Sequence, residues 1–501
     1  MADPALETIV ESSRRLVDVQ KVNQLLLWDG DVMMPSGGSS ARASQRGTLE
    51  AVRFEHLRDP ELATALDDVD RSSLTDEEAA IVREIQREQD IATRIPRDLF
   101  AEISAVSGRA HEKWKRAKEA NDFAIWAPEL QRYFELHEEK ARHLDSDVEP
   151  FEALWANRLG YLAQPHIPLE TIETIFDDLR DELVPLIERI EAADAAGDPD
   201  ALSGDFDTDV QFRMTRELLD VLALDWNRAR FDHASVGYSY GTQFDVRVTS
   251  KFNEESLLDG ILTAVHEFGH TAYTHGLPDE HYGTPLGEPR GLGIHESQSH
   301  LFENHVGRSR AFWELLLPTL KEHFPQLEGL RPDDAYLAVN HVDTEDPFSF
   351  RSDELTQHLH VMIRHEIERE VVDGNLAVER IPDVYDSKAR SYFGVAPETQ
   401  RRGPLQSPHW STQIPGFATY TLGSILAAQF WAALREDLPD VDQLVREGEF
   451  DPIVEWLTEN VYRHGQRYRA DELVRRVTGE DPTAEYFLEY AERKYGRLYD
   501  I

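Results

Sequence analysis

His266, Glu267 and His270 are the residues in this chain whose types and spacing could do chemistry together. On a helix, positions i and i+4 lie one above the other, so the two imidazoles can bind one metal ion. Glu267, one residue on, would sit beside the metal without binding it and take a proton from bound water. The implied chemistry is metal-assisted hydrolysis.

That arrangement needs a helix beneath it. Leu257, Leu258, Ile261, Leu262 and Val265 form an apolar stripe at helical spacing, and Asn253 is the expected cap. His266-Glu267-Phe268-Gly269-His270 then matches the H-E-x-x-H pattern of zinc peptidases. A zinc site also requires a third protein ligand and an open position for water. One familiar continuation, H-E-x-x-H-x-x-G-x-x-H, fails, because Tyr273 and Gly276 stand where Gly and His are needed. A glutamate from a following helix is the other common solution. Glu296, His300 and Glu303 fall on one helix face of the stretch from Gly293 to Asn304, so two could reach the site and the other could support it.

The surrounding elements are mostly helical. Helices are expected over Ala5–Leu27, ending at Trp28-Asp29, and over Ser39–His56 after the turn Met34-Pro35-Ser36-Gly37-Gly38. Helical periodicity runs from Thr75 to His143 with a break at Ile95-Pro96, and again over Leu169–Ala192. Ala195–Asp207, rich in Gly, Asp and Pro, reads as an exposed loop. Strand signal is confined mainly to Arg228–Lys251, where Phe244–Thr249 alternates with period two. Downstream, helices are expected at Glu296–His305, Ala311–His323, Glu354–Val372, Thr419–Arg435, Asp451–Arg463 and Ala484–Tyr495. No repeat or low-complexity linker marks a boundary. The expectation is one large helical domain over residues 1–501, with a small β-sheet beside the metal site.

Composition narrows the class. The chain carries 52 basic and 95 acidic residues, a formal charge of −43, which argues against nucleic acid as a partner. Lysine is scarce and the acidic residues are spread throughout, the pattern of a surface kept soluble in high salt. There is no cysteine, hence no disulfide framework or thiolate metal site. Met1–Val10 lacks the apolar core of a signal peptide, and no window has the apolar run of a membrane span. A soluble, cytoplasmic protein is expected.

Several boxes in order give the chain a family resemblance. They are Trp28-Asp29 with Met34–Gly38, an Asp-x-Arg-x-Thr box at Asp245–Thr249, and the zinc helix His266–His270. Gly283-Thr284-Pro285-Leu286-Gly287 and His295-Glu296-Ser297-Gln298 follow, then Gly403-Pro404-Leu405-Gln406-Ser407-Pro408-His409-Trp410 and Tyr420-Thr421-Leu422-Gly423. In these the chain resembles the thermostable metallocarboxypeptidases of the carboxypeptidase Taq type. The resemblance implies a neurolysin-like helical fold with a deep active-site groove, a homodimer, and zinc or cobalt as the metal. It also implies removal of single residues from the free C-termini of peptides. It selects Glu296 as third ligand, with Glu267 as general base. Two positions depart from the pattern. The family's Ile-Arg-x-x-Ala-Asp box ends at Asp353, but its arginine slot holds Ser349 and the arginine stands at Arg351. The Asp usual after Gln406 is Ser407.

An exopeptidase must recognise a carboxylate, which arginine does through paired hydrogen bonds, and Arg247 and Arg351 are the candidates. His409 and Tyr420 are candidate donors to the tetrahedral oxyanion. The rival activity is an oligoendopeptidase or dipeptidyl carboxypeptidase with the same ligands. A non-catalytic scaffold is the third reading, and Glu267 argues against it, since a retired site has no need of that carboxylate.

Overall fold

The computed structural model describes residues 3–159, 166–193, 197–344, 346–348 and 353–501. Ser349 and Arg351 lie outside the described residues, and Arg351 is therefore given no structural account.

Helices dominate, and they start where capping chemistry predicts. The first, Pro4–Val32, has Asp3 accepting a hydrogen bond from the Ala5 amide, with proline in its first turn. It continues past Trp28-Asp29 because the Met33 amide still bonds to the Asp29 carbonyl at 3.0 Å. Ser39–Leu57 follows the expected turn, and Leu169–Ala192 has the expected limits. The periodicity from Thr75 to His143 resolves into Asp76–Arg94, Arg97–Ala120 and Ala127–Leu144. Their second break, at Asn121-Asp122, is a left-handed Asn cap that the sequence reading passed over.

The chain divides into two compact units, each assembled from three separate segments. The first comprises Met1–Ala92, Ala196–His341 and Gly423–Pro482. It contains β1 (Ala229–His233), β2 (Tyr238–Thr242) and β3 (Asp245–Ser250), in the spatial order β1-β3-β2. β1 pairs parallel with β3, Ala229 opposite Val246, and β2 pairs antiparallel, Tyr238 opposite Thr249. In β3, Val246 and Val248 are buried and Asp245 is exposed, as the alternation predicts. Trp28 donates from Nε1 to Asp232 on β1 at 3.2 Å, tying the first helix to the sheet.

The second unit comprises Thr93–Ala195, Val342–Leu422 and Thr483–Ile501. Its core is built from helix faces of Arg97–Ala120, Ala127–Leu144, Leu169–Ala192 and Thr356–Val372, with Trp126, Phe151 and Trp410 fully buried. Asp353 starts the last of these helices. Its carboxylate accepts from the Leu355 and Thr356 amides, both at 2.8 Å. No helix among the described residues is long and apolar enough to cross a membrane.

Candidate metal centre

The H-E-x-x-H residues lie in a helix spanning Leu258–His275, in the first unit. It begins five residues after Asn253, so Asn253 is not its cap. The Asn253 side chain instead accepts the Glu255 amide at 2.9 Å, a local turn that outcompetes helix entry. The following helix, Leu292–His300, is buried along its whole length. Gly269 explains how closely the two pack. A Cβ there would fall 2.4 Å from the Gln298 carbonyl oxygen. Gly423 plays the same part behind Glu296, since its Cβ would meet Glu296 Cβ at 2.4 Å.

The side chains converge. His266 Nε2 and His270 Nε2 each lie 3.6 Å from the same Glu296 oxygen, Oε2. Ser299 Oγ donates to that oxygen at 3.2 Å, holding the carboxylate between the rings. The second nitrogen of each imidazole is occupied behind the site. His266 Nδ1 bonds to Glu303 Oε2 at 2.8 Å, and His270 Nδ1 is hydrogen-bonded to His295 Nδ1. The Glu303 bond fixes Nδ1 as a donor and leaves Nε2, beside Glu296, as the nitrogen that would meet a metal ion. Two imidazoles and one carboxylate whose ligand atoms lie within 4.8 Å of one another fit a divalent metal ion. His266, His300 and Glu303 form an overlapping second group, but it would need His266 Nδ1, the nitrogen already committed to Glu303.

Glu303 reaches His266 because the chain widens into a π-helical turn, Leu301–Gly307, straight after the ligand helix. Arg308 at the end of that turn donates to Glu303 Oε1 at 3.2 Å and to the Val339 carbonyl at 2.7 Å. Burial would raise the Glu303 carboxyl, but the His266 hydrogen bond and charge, with Arg308, hold it well below the usual carboxylate range. Burial likewise opposes charge on His266, yet Glu303, Glu267 and Glu296 together raise it to about 9. A metal ion held by this ring would have to displace its proton, so binding would be proton-linked. Glu267 is 5% exposed, and its Oε2 has no hydrogen-bond partner among the described residues. Burial raises its carboxyl to about 8; His266 opposes this, and Glu296 and Glu303 add to it. A buried, unsatisfied carboxylate is costly unless something arrives to use it.

A family model described as carboxypeptidase Taq (M32) metallopeptidase matches residues 8–495. The chain belongs to this M32 family. Among its relatives is thermostable carboxypeptidase 1 of Thermus thermophilus, 33% identical with 99% of each chain covered. Another is thermostable carboxypeptidase 1 of Pyrococcus furiosus, 31% identical with 98% of each covered. The crystal structure of the M32 carboxypeptidase from Deinococcus radiodurans superposes with a TM-score of 0.94, at 32% identity over the full length of both chains. The chain is thus a metal-dependent carboxypeptidase, as the ordered sequence boxes indicate.

The remaining M32 boxes hold polar groups in two places. Arg247, on β3, closes its fork on Asp245, Nε to Oδ1 at 2.6 Å and Nη2 to Oδ2 at 2.8 Å. Its guanidinium lies 4.5 Å from the centre of the Trp28 ring, which brings the first box and the Asp-x-Arg-x-Thr box into contact. In the second unit His409 Nε2 and the Tyr420 hydroxyl are 3.1 Å apart, and Ser407 Oγ bonds to His409 Nδ1. Burial, then the charges of Arg364 and Arg158, lowers His409 to about 4, so its ring is neutral near pH 7. Ser407, standing in the family's Asp position, still binds the histidine through its hydroxyl.

Sequence reasoning missed Arg364, whose side chain bonds to Gln406 Oε1 in this same box. The signal was present: a charge inside the apolar run Leu359, Met362, Ile363, Ile367 of a helix. It also left the roles of Glu303 and His295 open, because a π-helical turn and a ring-to-ring contact have no period to read.

Proposed function

We propose that this enzyme releases single amino acids, with broad specificity, from the free C-termini of peptides. His266, His270 and Glu296 hold its metal, zinc or cobalt. The observation that carries the reading is the convergence of two Nε2 atoms on one Glu296 oxygen, with the buried Glu267 next in the chain to His266 and its Oε2 without a hydrogen-bond partner among the described residues.

A divalent ion in this donor set supplies Lewis acidity, polarising the scissile carbonyl and lowering the pKa of water. The chain's own groups then do the proton work. Glu267 Oε2 takes the proton from the attacking water and returns it to the departing amine nitrogen. Glu303 and Arg308 keep His266 oriented. The His409 ring and the Tyr420 hydroxyl donate to the oxyanion of the tetrahedral intermediate. A guanidinium receives the terminal carboxylate and fixes the cut one residue from the end, with Arg247 and Arg351 as the sequence candidates. The same reading includes a homodimer working in a salt-rich cytoplasm.

The test is a time-resolved digest of one peptide in acid and amide forms, with and without chelator, followed by mass spectrometry. The expected result is a single-residue ladder from the acid only, abolished by chelator. Internal cuts, dipeptide release or equal rates on both forms would assign the oligoendopeptidase or dipeptidyl carboxypeptidase activity instead.

A further inference from the structure

The Glu267 carboxylate is buried, and no hydrogen bond holds its Oε2 among the described residues, so packing has to place it. The packing comes from the strand alongside, within the first unit. Thr263, Glu267 and Thr271 stand four residues apart and form one stripe of the helix Leu258–His275. Ser239 on β2 donates from Oγ to Thr271 Oγ1 at 2.9 Å, and Thr271 Oγ1 donates to the Glu267 carbonyl at 2.8 Å. Gly237, two residues before Ser239 on the same extended chain, meets the other end of the stripe. A Cβ there would fall 3.2 Å from Glu267 Oε1 and would overlap the Thr263 methyl carbon, Cγ2. Gly237 is not among the residues with positive φ, so a glycine serves here for space and not for backbone conformation.

The peptide at Gly237 is also held from behind. The hydroxyl of the fully buried Thr249 donates to the Val236 carbonyl at 3.0 Å and accepts from the Tyr238 amide at 3.1 Å. One side chain thus clamps the backbone on both sides of the glycine. Thr249 closes the Asp-x-Arg-x-Thr box, and a valine of the same shape could make neither bond.

We infer that Gly237, clamped by Thr249, is a positioning residue for the Glu267 carboxylate. The missing side chain leaves Oε1 the room it occupies, and the clamp keeps that room from changing. This rests on the reading of Glu267 as general base. The atoms nearest a Cβ at this position belong to Thr263, Glu267 and Thr249, and none to His266, His270 or Glu296. A methyl group at this point would therefore displace the base and spare the metal.

The experiment measures kcat, KM, metal content and unfolding midpoint on one peptide substrate. It compares the metal-loaded wild type, Glu267→Gln, Thr263→Ser, Gly237→Ala and the double variant Gly237→Ala/Thr263→Ser. Thr263→Ser removes the methyl that Gly237→Ala would overlap, so the double variant regains its packing but keeps the new Cβ against Oε1. Misplacing a catalytic group by about 1 Å costs about 10²-fold. The double variant is expected to match Thr263→Ser in midpoint, metal content and KM, with kcat about 10- to 100-fold lower. An undiminished kcat in the folded double variant would overturn the inference, leaving Gly237 to serve packing alone. If neither Gly237→Ala variant folds, Thr249→Val against Thr249→Ser decides. Serine keeps the hydroxyl clamp and valine loses it, so kcat should fall in Thr249→Val alone at equal metal content; equal kcat in the two would overturn the inference. Near-normal turnover of Glu267→Gln would instead sink the general-base reading, so the two failures are distinct.

Discussion

Histidines are buried in both compact units, and one group in each differs from the other in what surrounds it. In the first unit, His266, His270 and His300 face Glu296 and Glu303 at 2.8–3.7 Å, with each other as edge-on neighbours. In the second, His365 sits edge-on between Phe151 and Phe176, and neither ring nitrogen has a partner among the described residues. His360 packs on Phe393 and reaches only the Pro347 carbonyl, and His137 packs on Tyr133 and bonds to the Tyr133 carbonyl. Against burial, the carboxylates raise His266 to about 9, whereas burial and the neighbouring histidines hold His270 well below the usual range. Aromatic walls keep the second unit's rings neutral: burial lowers His360 and His137 to about 3 and His365 to about 4. The residue type is common to both units; the chemistry comes from the wall opposite.

The sharpest way to break this contrast is at the carboxylates of the first unit. Glu267→Gln preserves shape but accepts no proton, so kcat is expected to fall by ~10²–10⁴ while metal content stays at one equivalent. Rate and metal measured on one sample check it, and near-normal turnover would remove Glu267 from the mechanism. Next in size is metal affinity. Glu296→Ala removes a ligand and should leave the protein unable to hold metal against a mild chelator. Glu303→Ala removes only the partner of His266 Nδ1 and should weaken binding by about 10–100-fold. Chelator competition at fixed pH separates them; equal losses would mean that Glu303 and Glu296 had exchanged roles.

Much of the first unit was legible in the sequence, and the reason is periodicity. The motif helix and the alternating strand Asp245–Ser250 each repeat at a period that binary pattern reports, whereas Glu296 lies on a helix buried along its whole length and was singled out by the family resemblance. Asn253 misled because an Asn that caps a turn reads the same as one that caps a helix. The π-helical turn that aims Glu303 at His266, and the division into units from three segments each, are set by contacts distant in sequence. So is the aromatic slot around His365: residues 151, 176 and 365 have no local relation.

Salt addresses the surface shared by both units and leaves the buried histidines alone. With a formal charge of −43, the folded chain repels itself, and the Debye length drops from ~30 Å at 0.01 M to ~3 Å at 1 M salt. The thermal midpoint is therefore expected to rise steeply across that range. A flat profile would show that the acidic composition does not govern stability.

The smallest effect is the most specific to the second unit. Burial holds His365 at about 4 in the folded protein against an ordinary value near 6.5, with Glu366 opposing only in part. Because the folded value is the depressed one, the unfolded chain binds the extra proton. Stability is therefore intact above pH 6.5 and is lost as pH falls toward 4. At pH 5 the unfolded ring is protonated and the folded ring is not, a penalty of about 2 kcal/mol. His365→Leu conserves volume approximately and cannot titrate. Its absolute stability carries whatever the lost ring contacts are worth, so the informative quantity is the loss between pH 7.5 and pH 5. Denaturant unfolding of both proteins, stripped of metal so that the first unit's proton-linked binding does not contribute, should show that loss smaller in the variant by about 2 kcal/mol. The difference should be the same at low and high salt, since the Phe151 and Phe176 rings shield the site from ions. An identical pH dependence in the two proteins would mean that His365 protonates within the folded slot, and the contrast between carboxylate-facing and ring-facing histidines would then fail at its clearest example.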